Sequence, residues 1–165
     1  MLETVGGQKE MSPMVQKIVL PARGLPTQTR TEEAATGLNI FVLFTSVGAT
    51  LAALKHAGEL AASLGARITL LAAQVVPYPL PLDSPPVLVE LNEHRFRVIA
   101  SQSPLETQVH IYLCRDWVAT LTSILNPGSL ILLGGRKRRW WPTQDQALAR
   151  TLRRAGHEVI FKKTE

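Results

Sequence analysis

Gly134 and Gly135 are followed without a break by Arg136, Lys137, Arg138 and Arg139, and then by Trp140, Trp141 and Pro142. Three chemistries fit such a stretch. Glycine main chain can close on a phosphate, because no Cβ holds the ligand away. Arginine forks match phosphate oxygens two at a time. Arginine beside tryptophan can stack on bases or sit among lipid headgroups. A second stretch, Thr45 to Thr50 ("TSVGAT"), can present main-chain N–H groups at the start of a helix, a generic anion site. Thr45, Ser46, Val75, Gly134, Gly135, Arg136 and Lys137 therefore form a candidate nucleotide or anion site. Arg138, Arg139, Trp140 and Trp141 are candidate partner contacts. Each feature also has a plainer reading: "TSVGAT" as a strand-to-helix turn capped by Ser46 or Thr50, and the charges as a solvated face with the tryptophans packed over a helix.

Other side chains that could do chemistry do not assemble into a set. The histidines at 56, 94, 110 and 157 lack metal-ligand spacing, and His157 after Gly156 reads as a helix-end residue. Cys114 is the single cysteine, so an intrachain disulfide and a cysteine-based zinc cluster are excluded. Arg115 beside it could lower its pKa, but a buried, inert thiol is the simpler expectation. No carboxylate pair, Ser/His/Asp set or nucleophile elbow is present, and the chain reads as a non-enzyme without a metal.

The elements that must hold these residues are legible from residue 39 onward. "NIFVLFTS" is an unbroken apolar run, the mark of a strand buried on both faces. Leu54, Ala57, Ala61 and Leu64 then form a helical stripe that Gly65 ends as a left-handed C′ residue. "ARITLLAAQV" gives a second strand, stopped by prolines. A helix is expected after Ser84 as N-cap and Pro85 at its first position, with Leu88, Leu91, Val98 and Ile99 inward and Arg95 interrupting them. "LETQVHIYLC" alternates like a strand near a sheet edge. Asp116 caps a short helix that faces the core through Trp117, Leu121 and Ile124. It ends at Asn126-Pro127-Gly128. "SLILLGG" is a further buried strand. Thr143 and Gln146 form a capping box that opens "QDQALARTLRRA", with Leu148 and Leu152 inward and Arg153 and Arg154 at the negative end of the helix dipole. "HEVIFKK" closes the chain as an exposed strand.

The order β-α-β-α-β-α-β-α-β implies a three-layer α/β/α fold with a five-stranded, mostly parallel sheet. In such sheets ligands sit beyond the strand C-termini where the winding reverses, here between "TSVGAT" and "GGRKRR". Residues 1–37 are rich in Gly, Pro, Thr, Gln and Glu and read as a flexible N-terminal tail before a domain of residues 38–165. Within that tail "MVQKIVLP" is apolar enough for Val15–Leu20 to add as an edge strand.

Composition bounds the rest. With 45% apolar residues and only 5% aromatics, the core must be aliphatic, as suits parallel strands and Ala-rich helices. No apolar run approaches the ~20 residues needed to span a bilayer, and no signal-peptide pattern opens the chain, so a cytoplasmic setting is expected. The net charge of +5 is uneven. Residues 1–38 are neutral, residues 39–133 carry −1, and residues 134–165 carry +6. Such a face can attract phosphate, nucleic acid or anionic lipid.

"IFVLFTSVGATLAALKHAGELAASLGARITLLAAQVVPYPLP", with "LILLGG" and "GHEVIF" late in the chain, resembles a universal stress protein (UspA-like) domain. The similarity covers residues 39–163. It implies an adenine nucleotide alpha hydrolase-like, Rossmann-like sheet of order 3-2-1-4-5, a role in stress response or regulation, and a homodimer formed through the last strand, with Val159 and Phe161 at the contact. ATP-binding members carry an acidic residue after the first strand and G-x-x-G, then G-S or G-T, after the fourth. This chain has Thr45 and Lys137 at those places, and no glycine between Gly135 and Gly156. The resemblance therefore implies a non-catalytic homodimer with lost or altered ATP binding and no cofactor. A module that still binds a nucleotide such as ATP, or another anion, is the alternative. Contact with nucleic acid or an anionic membrane surface ranks below both.

Overall fold

In the computed structural model of the protein, the described residues are 15–21, 37–136, 140 and 142–164. Five strands run parallel: β2 (Asn39–Leu43), β3 (Arg67–Val75), β4 (Thr107–Cys114), β5 (Leu130–Arg136) and β6 (Glu158–Thr164). Their spatial order, β4-β3-β2-β5-β6, is the expected 3-2-1-4-5 arrangement. A sixth strand, β1 (Val15–Pro21), pairs antiparallel with β4 from Val15↔Cys114 to Pro21↔Gln108. It falls where the apolar piece of the tail predicts an edge strand, and residues 1–14 and 22–36 lie outside the described residues. β4 lies next to that edge strand, near the sheet edge as expected, but both of its alternating sets are buried, His110, Tyr112 and Cys114 along with Val109, Ile111 and Leu113.

Helices α1 (Val47–Leu64), α2 (Val89–Ser101), α3 (Trp117–Ile124) and α4 (Gln144–Arg154) cover both faces of the sheet. Alternate residues of each strand point to opposite faces. Ile40, Val42, Leu70 and Ile111 join Ala53, Leu54 and Ala57 of α1 and Phe96 and Ile99 of α2 in one core. Leu43, Leu71, Ile131 and Leu133 join Leu121 of α3 and Ala149 and Leu152 of α4 in the other.

Helix ends follow local chemistry. Gly65 is left-handed (φ 63°), and the Ala66 N–H bonds to the Ala61 carbonyl at 3.0 Å, closing α1. Leu64, expected on the buried stripe, is exposed at that end. Asp116 accepts from the Ala119 N–H at 3.0 Å to cap α3, and the Thr143–Gln146 capping box opens α4.

The second helix departs from expectation. It starts at Val89 after an N-cap Leu88 that makes no side-chain bond, not after Ser84. Pro85 precedes Pro86, and a residue before proline is pushed out of the helical region. The rotation differs too. Phe96, Ile99 and Ala100 face the core, whereas Leu88, Leu91 and Val98 are exposed. Phe96 sets this rotation by meeting Phe44 edge-on with ring centroids 4.9 Å apart, and Arg95 lies over both rings.

Candidate functional site

The winding reverses between β2 and β5, the two strands at the centre of the sheet, so the loop after β2 and the end of β5 do meet. What they make there is a packed joint. Ser46 caps α1 by accepting from the Ala49 N–H at 3.4 Å. The buried Thr50 hydroxyl accepts the Thr45 N–H at 3.3 Å. The Thr45 hydroxyl donates to the carbonyl of Gly134 at 2.7 Å, tying β2 to β5 beyond the point where their ladder ends. "TSVGAT" is a strand-to-helix turn capped by Ser46, and Thr50, inside α1, holds the Thr45 N–H.

The glycines of β5 do not open into a loop. The glycines fit both the end of the strand "SLILLGG" and the start of the loop "GGRKRR"; the strand takes them and runs one residue further, to Arg136, with Gly134, Gly135 and Arg136 in register with Lys162, Lys163 and Thr164 of β6. Neither glycine has a positive φ. What each supplies is the absence of a side chain. A Cβ on Gly134 would strike the carbonyl of Ala49 in α1. A Cβ on Gly135 would lie 2.6 Å from the Asp145 carboxylate and 3.0 Å from the Phe161 ring. The space beside both glycines is therefore taken up by the chain's own helices and by its last strand.

The other predicted residues are dispersed. Val75 is half-exposed at the C-terminal end of β3, across β2 from the glycines. Arg136 is exposed at the end of β5, where its carbonyl accepts the Thr143 hydroxyl at 3.1 Å. Trp140 is exposed. Lys137, Arg138, Arg139 and Trp141 lie outside the described residues. Val159 and Phe161 stand on β6 and pack half-buried against the α3/α4 core.

Cys114 is buried, and burial pushes its thiol above the ordinary value of 9.0; Asp116 raises it further, against a hydrogen bond with Thr120. Arg115 does not activate it. That guanidinium instead donates to the Val76 carbonyl at 2.7 Å and lies 4.1 Å from the centre of the Tyr78 ring. His157 is buried behind Gly156, as a helix-end residue should be. Among the described residues no group of His, Cys, Asp or Glu could hold a metal ion.

A cleft of about 450 Å³ opens elsewhere, between α4 and the outer side of β6, lined by Gln146, Ala149, Arg150, Arg153, Phe161 and Lys163. The sequence reading missed it. Its signal is present in retrospect: Gln146, Ala149, Arg150 and Arg153 have the i, i+3, i+4, i+7 spacing of one helix face. Phe161 and Lys163 alternate onto one face of a strand.

Fold and joint together define a Rossmann-like α/β domain in which the turn after β2 and the end of β5 are tied to each other at the switch point. No described helix is long and apolar enough to cross a membrane. Comparison of the chain with protein-family models, curated proteins and solved structures found no match.

Proposed function

We propose that this chain is a non-catalytic association module, a stress-protein-like domain without a phosphate loop that works through the open edge of its sheet at β6. One observation carries the reading. The glycine pair that a nucleotide would require lies within the β5–β6 ladder, its bare faces filled by Ala49, Asp145 and Phe161. Thr45, standing where an acidic residue would serve a nucleotide, holds the Gly134 carbonyl instead. Self-pairing of β6 about a two-fold axis is the form of association that the resemblance implies. The lone, protonated thiol of Cys114 suits a reducing compartment, and we place the module in the cytoplasm.

Thermal unfolding with millimolar ATP, ADP, AMP and cyclic nucleotides tests the first half of this reading. No shift is expected. A ligand at 100 times its Kd adds about 2.7 kcal/mol, so a nucleotide site would be plain in the melting curve and would overturn it. Light scattering at micromolar concentration tests self-pairing. A dimer that Lys163→Pro dissociates supports it, and a strict monomer removes a second copy as the occupant of the edge.

A further inference from the structure

The hydrogen-bonding sense of β6 fixes what its outer side offers. The Glu158 N–H bonds to the Ser129 carbonyl at 3.0 Å, so the main-chain groups of Glu158 point toward β5. Successive residues of a strand alternate, so Ile160, Lys162 and Thr164 also point inward, and Val159, Phe161 and Lys163 turn theirs to the open side. The Val159 carbonyl is taken by Arg153, whose Nη2 and Nε donate to it at 2.9 and 3.3 Å. That caps the first part of the edge. Among the described residues nothing takes the outward N–H and C=O groups of Phe161 and Lys163, and these two residues line the cleft against α4.

The side chains over that stretch are basic: Arg150 and Arg153 on α4 and Lys163 on β6, with Arg154 and Lys162 close by in the chain. Glu158 sits at the far, capped end of the strand. A second copy paired about a two-fold axis would set its own basic cleft alongside this one and bring no carboxylate to it. An acidic strand would meet these cations with opposite charge while satisfying the same main-chain groups.

We infer that β6 takes up an extended acidic segment of another protein as an added strand, its main chain bonded at Phe161 and Lys163 and its carboxylates set against Arg150 and Lys163. This rests on the reading that β6 is the working edge, and it names the partner's chemistry. Residues facing α4 recur at every second position of the added strand, so the segment recognised alternates carboxylate with β-branched residues.

The test uses the full chain and a fluorescein-labelled peptide of about eight residues alternating Glu and Val, near the usual strand length. Anisotropy should show saturable binding. Replacing each Glu by Gln in the peptide, or making R150Q with K163Q in the protein, should weaken it by about tenfold. Raising the salt from about 50 to about 500 mM should weaken it likewise. K163P, which removes an outward N–H without touching the core, should abolish it. Binding that survives K163P and the double variant lies elsewhere and overturns the proposal. Absence of peptide binding, with a dimer that K163P dissociates, also overturns it but leaves the edge reading standing with a second copy as occupant. Absence of both removes the acidic strand and the edge reading together.

Discussion

Gly134→Ala separates a glycine kept for packing from a glycine kept for a ligand. The added methyl would be driven into the main-chain carbonyl of Ala49, which belongs to the first turns of α1 and cannot swing aside as a side-chain end could. Overpacking of a tight interior costs about 1–3 kcal/mol. To relieve it, β5 must move away from α1, which stretches the 2.7 Å bond from the Thr45 hydroxyl to the Gly134 carbonyl. That bond is worth about 1 kcal/mol. The expected loss is therefore about 2–4 kcal/mol, or roughly 8–16 °C in Tm for a domain of this size. Gly48→Ala is the matched control. It lies in the same region, at the second position of α1, with open space where its Cβ would go. It should gain up to about 1 kcal/mol from helix propensity. Urea denaturation followed by far-ultraviolet circular dichroism measures both, with the m-value checked for constancy. If Gly134→Ala stays within about 0.5 kcal/mol of the parent, the packed joint is not what fixes this glycine, and the case against a phosphate site loses its main support.

Thr143→Ala removes the hydroxyl that accepts the Gln146 N–H in the α4 capping box and donates to the Arg136 carbonyl, leaves the arm from the Thr143 N–H to the Gln146 side chain, and should cost about 1–2 kcal/mol by the same denaturation assay. Cys114 should react with a disulfide reagent about a hundredfold or more slowly in the native protein than in urea, because burial keeps the thiol protonated and covered; rapid native labelling near neutral pH would contradict its placement. Asp145 is raised above 3.8 by burial against Gly135, so the folded state holds its proton more tightly than the unfolded chain does. Its ionisation therefore opposes folding, and that opposition is relieved as pH falls through the raised value toward the unfolded one. Asp145→Asn should remove this segment of the stability–pH profile, and an identical profile in the variant would refute the assignment.

Much of the parallel sheet could be read from the chain because period and punctuation agree there. The runs at Asn39–Leu43 and Arg67–Val75 are apolar on both faces, and Gly65, Asp116 and Thr143 end or begin helices through bonds that depend on a few neighbouring residues. The failures have a common cause in contacts distant along the chain. Which side of α2 faces inward is decided by Phe96 against Phe44, a residue more than fifty positions earlier, and not by the apolar spacing of Leu88, Leu91 and Val98. The burial of both faces of β4, against the alternation of His110, Tyr112 and Cys114 with Val109, Ile111 and Leu113, likewise depends on elements elsewhere in the chain. At the candidate site the residue types suit an anion, and the described residues Thr45, Gly134 and Gly135 are held in contacts within the chain. "LILLGG" reads equally well as the approach to a phosphate turn and as a strand packed between two helices, and the strand's length to Arg136 depends on Ala49 and Asp145, which are distant in the chain or on another element.

That squeeze also links the switch point to the edge. Gly135 allows Asp145 and Phe161 to close over β5 from one side, while Gly134 lets α1 settle on the other. Both glycines thereby keep β5 straight through Arg136, and β6 can stay paired with it as far as Thr164. A loop opening at Gly134 would have ended that ladder at Phe161 and left Lys162 to Thr164 without a strand to lie beside. The outward groups of Lys163, and with them the far end of the basic cleft, exist because the glycine pair remains in the sheet. The close packing at the two glycines and the length of the β6 edge are consequences of one arrangement.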